Sequence, residues 1–219
     1  MVISSESLGI PGSRIDFKRD LLLEDHKIRD LRITGKVARK HKFRFQTVPI
    51  EYSQEGVTVR RDIVFNGQRY SVGVPVNWVA DWRTYRFGYQ YDFLVKERGF
   101  GGFIADIKYT KVRAELATPF FSEFARARAP IPAIGGVARV YIVPNVAATF
   151  ELTGFRLPSS INEDYRAHYA DIDLYGTINF NKYVGAQVGW RSLDVGYLVE
   201  EDYGNFDVRG MYFGIVARY

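Results

Sequence analysis

Trp82-Arg83-Thr84-Tyr85-Arg86-Phe87-Gly88-Tyr89-Gln90-Tyr91-Asp92-Phe93 is the stretch on which the fold turns. Tyr85, Phe87, Tyr89, Tyr91 and Phe93 fall on alternate positions, with Thr84, Arg86, Gly88, Gln90 and Asp92 between them. Successive side chains of a strand point to opposite faces, so this segment reads as a β-strand with one aromatic and one polar face. The period returns outward in both directions. It marks 28–37 (Leu31, Ile33, Val37 against Asp30, Arg32, Thr34, Lys36), 42–50 (Phe43, Phe45 against Arg44, Gln46) and 100–112 (Phe103, Ala105, Ile107, Tyr109 against Asp106, Lys108, Thr110). It marks 131–143 around Ile134, Ala138, Val140 and Ile142 against Arg139 and Tyr141, and 146–156 around Phe150 and Leu152 against Glu151. From 169 to 180, Ala170, Ile172, Leu174, Ile178 and Phe180 oppose Tyr169, Asp171, Asp173, Tyr175, Thr177 and Asn179. Segments 184–192 (Val188, Trp190 against Gln187, Arg191) and 206–219 (Met211, Phe213, Ile215, Ala217, Tyr219) bring the count to nine strands.

The composition agrees with a folded all-β chain. Its 219 residues suit one domain, and neither its 47% apolar nor its 25% charged content resembles a disordered chain. Charges interrupt every apolar run well short of the ~18 residues a transmembrane helix needs. No cysteine is present, which excludes a disulfide framework, a thiolate metal site and a cysteine nucleophile. Aromatic residues reach 16%, with 15 Tyr nearly matching 16 Phe.

Connection lengths alternate. Short turns follow the first, third, fifth and seventh strands (38–40, 96–99, 144–145, 181–183), and longer polar segments follow the others. The longest segment, 53–77, is expected to be an outer loop with its own hairpin, Asp62 to Val72, turning at Asn66-Gly67. No Gly/Ser/Pro linker divides the chain, so 1–219 reads as one barrel domain.

Period 2 alone does not say which face meets solvent. A soluble barrel turns its apolar face inward, and a membrane barrel turns it to lipid. Three features favour lipid. Tyr and Phe occupy segment ends on the apolar faces (Tyr85, Tyr109, Phe180, Tyr219), as in interfacial girdles. Short turns at one end and long loops at the other are the habit of outer-membrane barrels. The last ten residues, Gly210 to Tyr219, alternate apolar residues up to a terminal aromatic. Tyr85, Phe87, Tyr89, Tyr91, Phe93, Ile172, Leu174, Phe213 and Tyr219 are therefore expected to face lipid or form the girdle. An even strand number makes residues 1–8 a short first strand and the rest of 1–27 an outer loop, for ten strands in an antiparallel up-and-down transmembrane β-barrel, eight being the alternative.

The chain resembles small Gram-negative outer-membrane β-barrels of undefined activity within the OmpA-like barrel superfamily. The likeness rests on Ile15-Asp16-Phe17-Lys18-Arg19-Asp20-Leu21, Arg39-Lys40-His41-Lys42-Phe43-Arg44-Phe45, Arg61-Asp62-Ile63-Val64-Phe65-Asn66-Gly67 and Tyr85-Arg86-Phe87-Gly88-Tyr89-Gln90-Tyr91. It implies an outer-membrane location, outer-membrane lipid as a partner, and assembly machinery that reads the C-terminal strand. Proteins of this kind carry a signal peptide, and Met1 to Ser7 has none of its features, so the natural start is expected to differ from Met1.

The inward faces carry Asp30, Arg32, Lys36, Arg44, Arg86, Asp92, Asp106, Lys108, Arg139, Glu151, Asp171, Asp173 and Arg191. Cations and anions nearly balance, which points to a mutually paired lumen network, since charges out of bulk water need partners. A narrow conduction path along that column is the functional variant. No catalytic constellation, metal set or cofactor motif emerges. His26, His41 and His168 lie in separate segments, Gly99-Phe100-Gly101-Gly102 follows no strand-to-helix pattern, and His168 with Asp171 and Ser159 or Ser160 is an unspecific hydrolase spacing. Basic and aromatic residues alternate across opposite faces, which argues against a nucleic-acid platform. The expectation is a non-enzymatic outer-membrane barrel with an unidentified outer-loop partner. The alternatives are a soluble lipocalin-like barrel with an apolar ligand and an outer-membrane lipid-modifying enzyme.

Overall fold

The computed structural model describes residues 2–4, 13–20, 28–65, 67–118, 122–157, 165–199 and 202–218. Its elements are β1 (Val2–Ser4), β2 (Ile15–Asp16), the single helical turn α1 (Phe17–Asp20), β3 (Leu31–Ala38), β4 (His41–Thr58), β5 (Ile63–Phe65), β6 (Gln68–Tyr70), β7 (Pro75–Lys96), β8 (Gly99–Ala117), β9 (Ser122–Val143), β10 (Val146–Arg156), β11 (Tyr165–Asn179), β12 (Val184–Val199) and β13 (Asp202–Ala217). All ladders are antiparallel. Eleven strands form one sheet in the order β2-β1-β13-β12-β11-β10-β9-β8-β7-β4-β3, and β5-β6 stand apart as a hairpin.

The sheet curls strongly into a half-barrel. Among the described residues no ladder joins β3 to β13, and β1 pairs only with the outer part of β13 (Val2↔Asn205, Ser4↔Tyr203) on that edge. The two ends nevertheless share an interior. Arg32 at the head of β3 meets Asp173 of β11 at 2.5 Å, and Trp82 of β7 stacks on Phe206 of β13.

The nine alternating segments are all strands, but several are much longer than the pattern showed. The expected outer loop at 53–77 is largely strand: β4 continues to Thr58, β7 begins at Pro75, and only the β5–β6 hairpin and its flanks lie between. The hairpin is where Asn66-Gly67 placed it, with Phe65↔Gln68 paired and Gly67 at φ 81, a conformation that suits glycine. The polar segment 193–205 is likewise strand, because β12 runs to Val199 and β13 starts at Asp202. The stretch read as an outer loop after the first strand contains β2 and α1.

The extensions were hidden because the polarity of the faces inverts partway up each strand. On β7 the inward positions are Val76, Trp78, Ala80 and Trp82 near the long-loop end, then Arg86, Gln90 and Asp92 near the short-turn end. The outward positions invert in step, from Asn77, Asp81 and Arg83 to Phe87, Tyr89 and Phe93. The lower storey is therefore charged inside and apolar outside, and the upper storey is apolar inside and charged outside.

Candidate functional site: the two-storey interior

In the lower storey, β4, β7, β8, β10, β11 and β12 aim charged side chains at one another. Arg44 Nη2 lies 2.5 Å from Glu151 Oε2, and the Tyr175 hydroxyl donates to the other carboxylate oxygen at 2.7 Å. Arg191 grips Asp171 through Nε and Nη2 at 2.9 and 2.8 Å and reaches Asp30 at 2.9 Å. Arg86 pairs with Asp106 at 2.5 Å and approaches Asp171 at 3.7 Å. Lys108, 1% exposed, donates to the Thr153 hydroxyl at 3.0 Å and sits 3.6 Å from the Tyr169 ring centroid. Arg32 bridges Asp30 at 2.8 Å and Asp173, whose other oxygen accepts from Tyr212 at 2.8 Å. The two-pronged Arg191–Asp171 contact is the strong geometry for such a pair. Asp171, Glu151 and Asp173 each accept a further bond from a tyrosine hydroxyl, whereas both Asp106 oxygens are buried without a hydrogen-bond partner beyond the Arg86 ion pair.

Close packing of this network depends on a missing side chain. Gly88 is the register partner of Asp106, and a Cβ built on it would stand 2.0 Å from the Asp106 carboxylate.

Asp30, Arg32, Arg44, Arg86, Asp92, Asp106, Lys108, Glu151, Asp171, Asp173 and Arg191 thus meet in one interior. The other two predicted members do not pair. Lys36 is exposed at the rim, and Arg139 lies 5.4 Å from the Tyr141 ring with no carboxylate contact among the described residues. Lys36 stands where the short-turn end of the interior opens to solvent, whereas Arg139 Nε is buried without a hydrogen-bond partner. Sequence reasoning missed several members, among them Tyr175, Lys42, Gln46 and Tyr212. Lys42, which pairs with Asp92 at 2.7 Å, lies two positions before Arg44 on the same face, so extending the alternation by one step would have found it. Gln46, which joins Arg86 and Asp30, appeared only as a polar-face residue, and Tyr212 was masked by apolar neighbours on both sides.

A cavity of about 1080 Å³ opens from this network toward the short-turn end. Its lining includes Lys36, Arg39, Lys42, Lys96, Arg139, Lys182 and Arg218 near the mouth. Above it an apolar layer crosses the interior. Ile50, Trp82, Ala133, Tyr169, Val195 and Phe206 form its buried centre, with Val112, Phe155, Leu193 and Val208 against them, so every long strand from β4 to β13 contributes. A second apolar cluster lies outermost, where Ile63, Phe65 and Tyr70 of the hairpin close over Val76, Trp78, Ala114 and Leu116, and Tyr70 donates to the Leu116 carbonyl at 3.0 Å. On its flank, Asp20 of α1 accepts from Arg61 Nε and Nη2 at 3.0 and 2.7 Å and from the Asp16 amide at 3.0 Å. The Arg61 hydrogen bonds hold the Asp20 carboxyl below its ordinary pKa.

The outer surface of the lower storey is apolar all along the sheet. Phe87 is 59% exposed and Phe213 85%, and Tyr85, Tyr89, Tyr91, Phe93, Ile172 and Leu174 share that face; Tyr219 lies outside the described residues. Cross-strand aromatic pairs knit it together: Phe45 with Phe87 at 5.0 Å, Phe43 with Tyr89 at 5.7 Å and Phe93 with Phe103 at 4.7 Å. The residues weighed as a hydrolase constellation do not converge. His168 is exposed and lies 3.3 Å from Asp194, while Asp171 points inward to Arg191; Ser159 and Ser160 lie outside the described residues. His41 is near the short-turn end, 2.6 Å from the Tyr89 hydroxyl. Compared with family models, curated proteins and solved structures, the chain matches none.

Proposed function

We propose that the protein is an integral outer-membrane β-barrel of Gram-negative type, non-enzymatic, with a sealed interior and a structural or loop-interaction role. The proposed barrel has ten strands, counting β1 as the short first one, with the two ends of the sheet held across the interior by Arg32–Asp173 and Arg191–Asp30. The observation that carries the reading is the continuous exposed apolar band outside a charge-paired interior. A water-soluble protein does not expose so large a contiguous apolar surface. On β7 the band runs from Tyr85 to Phe93, about 26 Å along the strand and about 20 Å along the axis at a tilt of about 40°. That is close to the height of the apolar belt on outer-membrane barrels.

The apolar layer disfavours the conductive variant, because it crosses the interior above the cationic cavity. The lipocalin-like alternative requires Phe87 and Leu174 to line a cavity, and they are exposed. The test is reconstitution. Heat-modifiable gel migration in detergent is the expected result, with flat planar-bilayer current at every voltage. Solubility without detergent would overturn the membrane reading, and steady unitary currents would overturn the sealed interior.

A further inference from the structure

The register of β4, β7, β8 and β9 sets out the surface in rows. Row by row toward the long-loop end, Phe45, Phe87, Ile107 and Pro132 stand side by side, then Thr47, Tyr85, Tyr109 and Pro130, then Pro49, Arg83, Lys111 and Arg128. One step further come Glu51, Asp81, Arg113 and Arg126. The apolar band therefore ends on the two tyrosines, and three cationic residues occupy adjacent positions in the next row, followed by two more above them.

Directly opposed side chains on neighbouring strands have Cβ atoms about 5 Å apart, and like charges there destabilise a sheet. The acids nearby offset only part of the charge. Arg83 Nε bonds Asp81 at 3.1 Å, and Arg113 bonds Glu115 at 2.6 Å. Lys111 makes no ion pair among the described residues, and its ammonium lies 5.5 Å from the Tyr109 ring centroid. Further round the sheet, Arg209 is matched by Asp207 at 2.7 Å. The cations of these two rows all stand on β7–β9.

We infer that Arg83, Lys111 and Arg113 bind the phosphate groups of an anionic lipid headgroup in the outer leaflet. A phosphate has several acceptor oxygens and can bridge guanidinium and ammonium groups across strands, which removes the like-charge repulsion. The source is a lipid because the row stands two residues, about 6.6 Å along the strand, beyond the tyrosine girdle. A phosphate at Lys111 leaves its acyl chains over Tyr109, Ile107 and Phe87. The inference rests on the membrane reading above.

The test uses the full chain refolded in zwitterionic micelles, with native mass spectrometry counting bound lipid. The probes are diphosphoryl lipid A, its fully dephosphorylated form, and inorganic phosphate as competitor. Tighter binding of the phosphorylated lipid is expected, weakened about fivefold by each of Arg83→Gln, Lys111→Gln and Arg113→Gln, and unchanged in Arg209→Gln. These side chains lie on the surface, and heat-modifiable migration reports folding of every variant. Equal binding of both lipids by a protein that folds and inserts would overturn this inference and leave the membrane reading standing. So would an unaffected triple variant, or full displacement by inorganic phosphate. Failure to insert would overturn both.

Discussion

Trp82 lies flat on Phe206, with ring centroids 4.3 Å apart and planes 13° from parallel, although the two residues come from β7 and β13. The stack joins distant strands of the curled sheet at the level where the interior changes from charged to apolar. Trp82→Ala opens a cavity there, and the expected cost is about 3–5 kcal/mol. Urea unfolding followed by loss of heat-modifiable migration measures it.

The pair Arg44–Glu151 links β4 to β10 across the interior at 2.5 Å. Removing one partner of a buried pair strands the other charge, so Arg44→Gln and Glu151→Gln should each destabilise by about 3–5 kcal/mol. The double variant should cost much less than the sum, because neither charge is then left alone. Additive losses in the unfolding midpoints would mean that the two groups do not interact.

Gly88→Val tests the same network sterically. Its side chain would occupy the space of the Asp106 carboxylate and separate that group from Arg86. The expected loss is about 1–3 kcal/mol from overpacking, on top of the disturbed ion pair. Gly35→Val is the control, since nothing lies within 4 Å of a Cβ there.

Asp20 makes the outer cap sensitive to acid. Its folded pKa is below the unfolded one, so the stabilisation is present above the ordinary carboxylate pKa and is lost as the pH falls through the lowered folded value. Hydrogen exchange at the Asp16 amide, which donates to Asp20, should be slower in the wild type than in Asp20→Asn near neutral pH. The two should converge at the acid end of the carboxylate range.

How much of this the sequence showed follows from where a strand keeps constant faces. Trp82–Phe93 was legible because aromatic and polar residues alternate without a break over the lower storey. Pro75–Asp81 was not, because Val76, Trp78 and Ala80 share the inward face that carries Arg86 and Asp92 further on. An apolar face followed along the strand thus stops or changes phase. The charged column was legible from the same alternation, one residue at a time. The apolar layer was not, since Ile50, Trp82, Tyr169 and Phe206 come from four strands and meet only once the sheet curls.

The three tryptophans report directly on which face of the sheet meets lipid. Trp78 and Trp82 are buried in the upper interior, and Trp190 is 40% exposed on the apolar outer face, in register with Leu174 and Met211. In bilayers whose acyl chains carry bromine, a lipid-facing Trp190 gives partial quenching of tryptophan fluorescence that disappears in Trp190→Phe. Quenching that persists in Trp190→Phe, or a wild-type signal untouched by the brominated lipid, would contradict the membrane reading.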